Sequence, residues 1–210
     1  YYSIMSHSAN RLATFQFLTR SKACKIFAWF ETWLNDHFSS AILDPCNHFN
    51  VVRCNRVSPK RSHGGGVALL LCKSLKYTPV LSRNLFGCEI VILDLSLVTK
   101  CRVFLLYRPP DTDYAQTSKI FDLISLYFHN HPSNLLLGDW NCQIELKSNK
   151  LTNRSYSKSP ISKLFHDFLL SNGLFLLNGF TSFVRSSFIL DVVISDTPEW
   201  IKDVKRSAPL

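Results

Sequence analysis

The sequence predicts an α/β or α+β domain built around a large mixed sheet. Three observations predict it: short apolar runs of strand length recur along the chain, segments with apolar residues at helical spacing fall between them, and no repeat or low-complexity stretch breaks the alternation. With 210 residues, 46% of them apolar and 19% charged, there is chain enough for one sizeable core, so a single domain over residues 1–210 is expected.

In order along the chain, Leu12, Phe15 and Leu18 stand at near-helical spacing within residues 10 to 23 and predict a short helix. Ile26-Phe27-Ala28-Trp29-Phe30 reads as a buried strand that runs directly into Glu31. A carboxylate at the end of such a strand is costly to bury unless a cation or hydrogen bond compensates it, so Glu31 is a candidate metal ligand. Phe49 to Arg56 reads as a strand carrying arginines, and a polar loop through Lys60, Arg61 and His63 leads to Gly64-Gly65-Gly66. The triple glycine lacks the Lys-Ser/Thr of a phosphate-binding P-loop and leads into the apolar run Val67 to Leu71, so it predicts a turn into a strand.

Two further strands are expected, from Glu89 to Leu97 and from Arg102 to Leu106. The second ends at Tyr107-Arg108-Pro109-Pro110, where the double proline stops the sheet and leaves a phenol and a guanidinium at its edge. Both groups can donate to a phosphate. Ile120, Phe121, Ile124 and Phe128 then mark one face of a helix over 117 to 130.

Leu135-Leu136-Leu137 predicts a buried strand, with Gly138 as a turn that delivers Asp139 and Asn141 to the rim of the sheet. That pair suits phosphate-ester hydrolysis: an Asp polarises water or holds a divalent cation, and an Asn amide donates to an oxygen on which charge builds. A polar loop from Glu145 to Ser159 precedes a helix that Pro160 opens and Asn172-Gly173 stops. Leu174 to Leu177 and Phe188 to Ile194 close the chain as strands. Asp191 interrupts six apolar residues in the last of these and requires a compensating partner.

Lysine and arginine number 24 against 15 carboxylates, a net charge of +9. Between Asp44 and Glu89 there is no acidic residue, while Arg53, Arg56, Lys60, Arg61, Lys73, Lys76 and Arg83 all fall there. Such a segment suits either a polyanionic partner such as DNA or a solvated basic surface, and Arg56, Arg61 and Arg108 are the candidate DNA contacts. Seven cysteines with no C-x-x-C pair fit neither a disulfide framework nor a structural zinc site, which points to a reducing compartment. No apolar run approaches the roughly 18 residues of a membrane span, so a soluble protein is expected.

Taken together, Glu31-Thr32-Trp33-Leu34, Gly64-Gly65-Gly66-Val67, Tyr107-Arg108-Pro109-Pro110, Gly138-Asp139-Trp140-Asn141 and Leu190-Asp191-Val192-Val193-Ile194 resemble, in this order, the motifs of the endonuclease/exonuclease/phosphatase superfamily. The variants look most like the apurinic-type endonuclease domain of non-LTR retrotransposons. The resemblance implies a four-layered αββα sandwich, two packed mixed sheets flanked by helices, whose strand ends meet at a site for Mg²⁺ or Mn²⁺. It implies that Glu31 binds the metal, that Tyr107 contacts the scissile phosphate, that Asp139 and Asn141 activate water and stabilise the transition state, and that Asp191 orients a histidine. Asn10 is the candidate for the family's first asparagine, a further metal contact. The family's last motif, Ser-Asp-His, has no counterpart here, and Ser195-Asp196-Thr197 stands too close to Asp191 to replace it. The expectation is a C-terminally shortened domain that lacks its last strand.

The expected function is therefore Mg²⁺-dependent nicking of DNA by a monomer with no membrane association, in the nucleus if genomic DNA is the substrate. Two alternatives stay open: a catalytically dead nucleic-acid-binding relic, motivated by the absent Ser-Asp-His, and a phosphomonoesterase of the same superfamily.

Overall fold

The computed structural model describes residues 2–6, 12–20, 24–57, 64–129, 131–145, 159–178 and 188–205. Asn10, Arg61, His63 and Ser207-Ala208-Pro209-Leu210 lie outside the described residues. In chain order the elements are β1 (Tyr2–Ser6), α1 (Leu12–Arg20), β2 (Ile26–Phe30), β3 (Phe49–Cys54), β4 (Val67–Cys72), β5 (Lys76–Leu85), β6 (Cys88–Ser96) and β7 (Lys100–Tyr107). There follow α2 (Tyr114–Phe128), β8 (Asn134–Glu145), α3 (Pro160–Ser171), β9 (Phe175–Leu176) and β10 (Phe188–Ser195).

The strands form two sheets, one in the order β1-β2-β4-β3 and the other in the order β5-β6-β7-β8-β10-β9. Each contains one parallel pair, β1 with β2 and β7 with β8, among antiparallel ones, so both sheets are mixed. Side-chain alternation sorts the residues into layers. Ile26, Ala28 and Phe30 point inward with Val67, Leu69 and Leu71 to meet Val91, Leu93, Val103, Leu105, Leu135 and Leu137 of the larger sheet. Their neighbours Phe27, Trp29 and Leu70 face outward, where Leu12 and Leu18 of α1 cover them. On the far side, Ile92, Phe104 and Leu136 pack against Ile120, Phe121, Ile124 and Phe128 of α2 and Phe165, Phe168 and Leu169 of α3. The result is four layers, helix, sheet, sheet and helices, as the resemblance implied.

Several boundaries differ from expectation. The second helix begins at Tyr114 because Asp113 caps it: the Asp113 carboxylate accepts from Gln116 N at 2.8 Å and the Gln116 side chain reaches back to Asp113 N at 3.4 Å. Strands β1 and β5 carry no strong apolar signal. Pro79 sits inside β5, an edge strand, where the register with β6 shifts between Pro79 and Leu81.

Gly138 is not a turn. It is paired within β8, whose pairing with β7 runs from Asn134 to Asp139. Its missing side chain serves packing instead, since a Cβ there would lie 2.3 Å from Trp140 Nε1. Trp140 is fully buried between Phe121 and Phe165, with ring centroids 4.9 and 5.4 Å away, and has no room to retreat. Gly138→Ala should therefore destabilise the fold by about 1–3 kcal/mol, read as a lower urea midpoint with an unchanged m-value.

Candidate active site

The site is assembled where the ends or middles of β2, β7, β8 and β10 bring three carboxylates and one phenol to neighbouring positions. At the end of β2 the backbone of Glu31 takes φ 54° and that of Trp33 φ 56°, the left-handed region that non-glycine residues adopt only against strain. The triple-glycine turn holds this conformation by extending the β2–β4 pairing: Thr32 N donates to Gly66 O at 3.1 Å and Trp33 N to Gly65 O at 2.9 Å. A Cβ on Gly66 would lie 2.5 Å from Thr32 Oγ1, so the close approach itself requires glycine. Glu31 thus projects from a backbone fixed on both sides.

From the second sheet, Tyr107 at the last position of β7 donates its hydroxyl to Glu31 Oε1 at 2.5 Å. Burial and the neighbouring Glu31 carboxylate push the phenol above its usual range, so it is a proton donor at every working pH. Tyr107 is the register partner of Asp139 on β8, and Asp139 is in turn the partner of Asp191 on β10. The three residues therefore stand side by side across three adjacent strands. Asp139 is buried, and its carboxyl is pushed up to about 8, first by burial and then by the charges of Asp191 and Glu31, against a lowering hydrogen bond from Asn141 N.

Asn141 owes its position to an irregularity in β8. Ile189 pairs with Ile144 and Asp191 with Asp139, so residues 140 to 143 of β8 lie opposite Leu190 alone. The excess is taken up by bulging, with φ 47° at Asn141. Asn141 N donates to Asp139 Oδ1 at 3.2 Å and Asn141 Nδ2 to Arg108 O at 2.9 Å. One of the two amide N–H bonds is thereby committed to the protein, where the sequence suggested a free donor.

Two of the proposed DNA contacts point elsewhere. Arg108 is 1% exposed: its guanidinium donates to Thr117 Oγ1, Trp140 O and Thr112 O at 3.0, 3.1 and 2.5 Å. It ties the proline turn and α2 to β8, and it is not a surface contact for DNA. Arg108→Met leaves those three acceptors unsatisfied in the interior and should cost about 3–5 kcal/mol, measured by chemical denaturation. Arg56 is likewise turned inward, its Nε donating to Glu89 Oε1 at 2.8 Å with side-chain exposures of 7% and 0%. The hydrogen-bonded Asp196 accepts from Asn134 N and Nδ2 at 2.8 and 2.6 Å, at the first residue of β8 and away from Asp139 in its middle, so Ser195-Asp196-Thr197 is a strand clasp.

Asn178 was not singled out from the sequence. It is buried and behaves like a short extra strand, donating through Nδ2 to Asp191 O at 2.7 Å and accepting at Oδ1 from Val193 N at 2.8 Å. The Asn178-Gly179 pair was visible as a turn signal, but nothing in it showed that its amide would pin the backbone of Asp191.

Among solved structures, the endonuclease domain of TRAS1, a telomere-specific non-LTR retrotransposon, aligns with 91% of this chain and 82% of its own at TM-score 0.64 and 15% identity. A Neisseria 3′ phosphatase, NExo, bound to a product DNA hairpin, aligns over 92% and 84% at TM-score 0.62 and 14% identity. An endonuclease/exonuclease/phosphatase family protein from Bacteroides thetaiotaomicron aligns over 93% and 81% at TM-score 0.55 and 12% identity. The chain has the endonuclease/exonuclease/phosphatase fold. No protein-family model and no curated protein matches it in sequence, so the likeness is carried by the three-dimensional arrangement. Within this fold the residues brought together are Glu31, Tyr107, Asp139, Asn141 and Asp191. Among the described residues no helix is long and apolar enough to cross a membrane.

Proposed function

We propose that the chain is a divalent-metal-dependent phosphodiesterase that nicks DNA, of the kind encoded by non-LTR retrotransposons. The observation that carries this reading is that Tyr107, Asp139 and Asp191 stand side by side on adjacent strands of one sheet, with Glu31 of the other sheet hydrogen-bonded to Tyr107 and Asn141 to Asp139. The likeness to the TRAS1 endonuclease domain supports the choice of substrate. A genomic DNA substrate would place the activity in the nucleus.

The donor set fits a hard cation. Burial first, and the charges of Asp191 and Glu31 second, push the Asp139 carboxyl up to about 8, and a cation bound beside it would offset both. Among the described residues no group of three or more His, Cys, Asp or Glu side chains is placed to hold a metal ion by itself. Mg²⁺ needs only one or two carboxylates, the rest of its shell being water and substrate phosphate. Glu31 would hold it, with Asp139 and Asp191 facing it. When bound, the cation supplies Lewis-acid stabilisation of charge on the phosphate oxygens.

The chain's own residues do the rest. Asp139, ionised once a bound cation offsets its burial and the neighbouring carboxylates, accepts a proton from the attacking water as the new P–O bond forms, and the P–O bond to the sugar breaks, its oxygen taking a proton from solvent. With Glu31 turned to a cation, Tyr107 would shift its hydroxyl proton from Glu31 to a non-bridging oxygen, and the remaining N–H of Asn141 donates there as charge builds. Asp191, pinned by Asn178, fixes the far side of Asp139.

A second reading, removal of a 3′ phosphate, is favoured by the likeness to the Neisseria 3′ phosphatase. The two are separated with end-labelled duplexes that either carry or lack a terminal 3′ phosphate. Internal cleavage in the presence of Mg²⁺ supports the nickase; phosphate release without internal cleavage replaces it with the phosphatase.

A further inference from the structure

Arg56 follows β3 and lies with its Cζ 5.1 Å from the centre of the Tyr107 ring. Its Nε is held at 2.8 Å by Glu89, which is fully buried on β6 as the register partner of Tyr107. Its Nη2 is buried without a hydrogen-bond partner, so the guanidinium meets Tyr107 through the face of the ring. A guanidinium over the ring face leaves the edge that carries the hydroxyl clear, and the single phenol proton goes to Glu31. Gly65 completes the seat: a Cβ there would lie 2.2 Å from Arg56 Cζ and Nε. The carbonyl of the same Gly65 takes the Trp33 N–H that fixes the end of β2.

We propose that Arg56, anchored by Glu89, is a positioning residue that fixes the Tyr107 ring and aims its hydroxyl at the Glu31 carboxylate, and so sets the geometry in which phosphate is met. The assignment rests on the phosphodiesterase reading for its kinetic consequence, and on the contacts alone for its structural one. A buried ion pair contributes little to stability over apolar residues of the same volume, so stability and positioning are separable.

The test uses the full chain labelled with 3-fluorotyrosine, the Tyr107 resonance being identified by its loss in Tyr107→Phe. Arg56→Met/Glu89→Met removes both charges together and avoids a buried carboxylate without its cation. In this variant the Tyr107 fluorine signal should shift and broaden while the thermal midpoint stays near that of the wild type. Nicking should fall about 10- to 100-fold in kcat with little change in KM. Arg56→Lys, which keeps the charge and loses the fork, should show the same signal change and serves if the double variant does not fold. An unchanged fluorine signal with wild-type turnover in either folded variant overturns the proposal. If the wild type itself does not nick DNA, the phosphodiesterase reading fails, while the fluorine signal still decides the role of Arg56.

Discussion

The metal-free protein should lose several kcal/mol of stability as the pH is raised from about 4 to about 8, with most of the loss removed by Asp139→Asn. In the unfolded chain Asp139 ionises at its ordinary value of 3.8, and in the folded one only at about 8. Between these values the folded state holds a proton that the unfolded state has released, so stability falls with rising pH and the loss is complete above the folded value. The causes are burial first and the charges of Asp191 and Glu31 second, both of which the register of β7, β8 and β10 imposes. At about 1.4 kcal/mol per unit the contribution is on the order of 5 kcal/mol. Glu89, whose burial raises it despite Arg56, contributes in the same direction. Asp94, held low by Arg102, acts oppositely: its contribution is present above the ordinary carboxylate value and lost as the solution is acidified. Thermal midpoints of wild type and Asp139→Asn in a chelating buffer across this range provide the measurement. Parallel curves would show that Asp139 is not the group responsible.

The same substitution should lower nicking by about 10²–10⁴ even though it stabilises the metal-free fold at pH 8. The amide is nearly isosteric and its oxygen still accepts from Asn141 N, so the bulge that positions Asn141 is retained. What disappears is the group that takes the proton from water. A variant both more stable and less active is the expected behaviour of a site whose crowded charges serve chemistry at the expense of folding. A variant that is less active because it is less stable would argue for an ordinary structural carboxylate.

The sequence was legible where burial is local. Ile26 to Phe30, Val67 to Leu71 and Leu135 to Leu137 are apolar on both faces because both faces are covered, and their lengths alone identify them as strands. Asp191 was legible for the complementary reason, since a carboxylate within such a run demands an explanation. What was hidden depends on partners distant in sequence. Arg108 looked like a surface cation beside two prolines, yet the carbonyl of Trp140, far along the chain, helps to make its interior seat. Arg56 belonged to an acid-free segment, and only the fold brings it to Glu89. Gly138 read as a turn because glycine so often is one, whereas here the Trp140 side chain occupies the space of its Cβ. The exposed edge strand β5 was invisible for lack of an apolar face, most of its residues being exposed or half-buried.

The most direct test of the account is nicking of supercoiled plasmid by the wild-type chain and by Asp139→Asn, with Mg²⁺ and with a chelator. Conversion to open circles by the wild type in Mg²⁺, abolished by the chelator and reduced at least about 100-fold by the substitution, is the expected result. Equal nicking by both proteins, or none by the wild type, would contradict the assignment of Glu31, Tyr107, Asp139, Asn141 and Asp191 as a phosphodiesterase site.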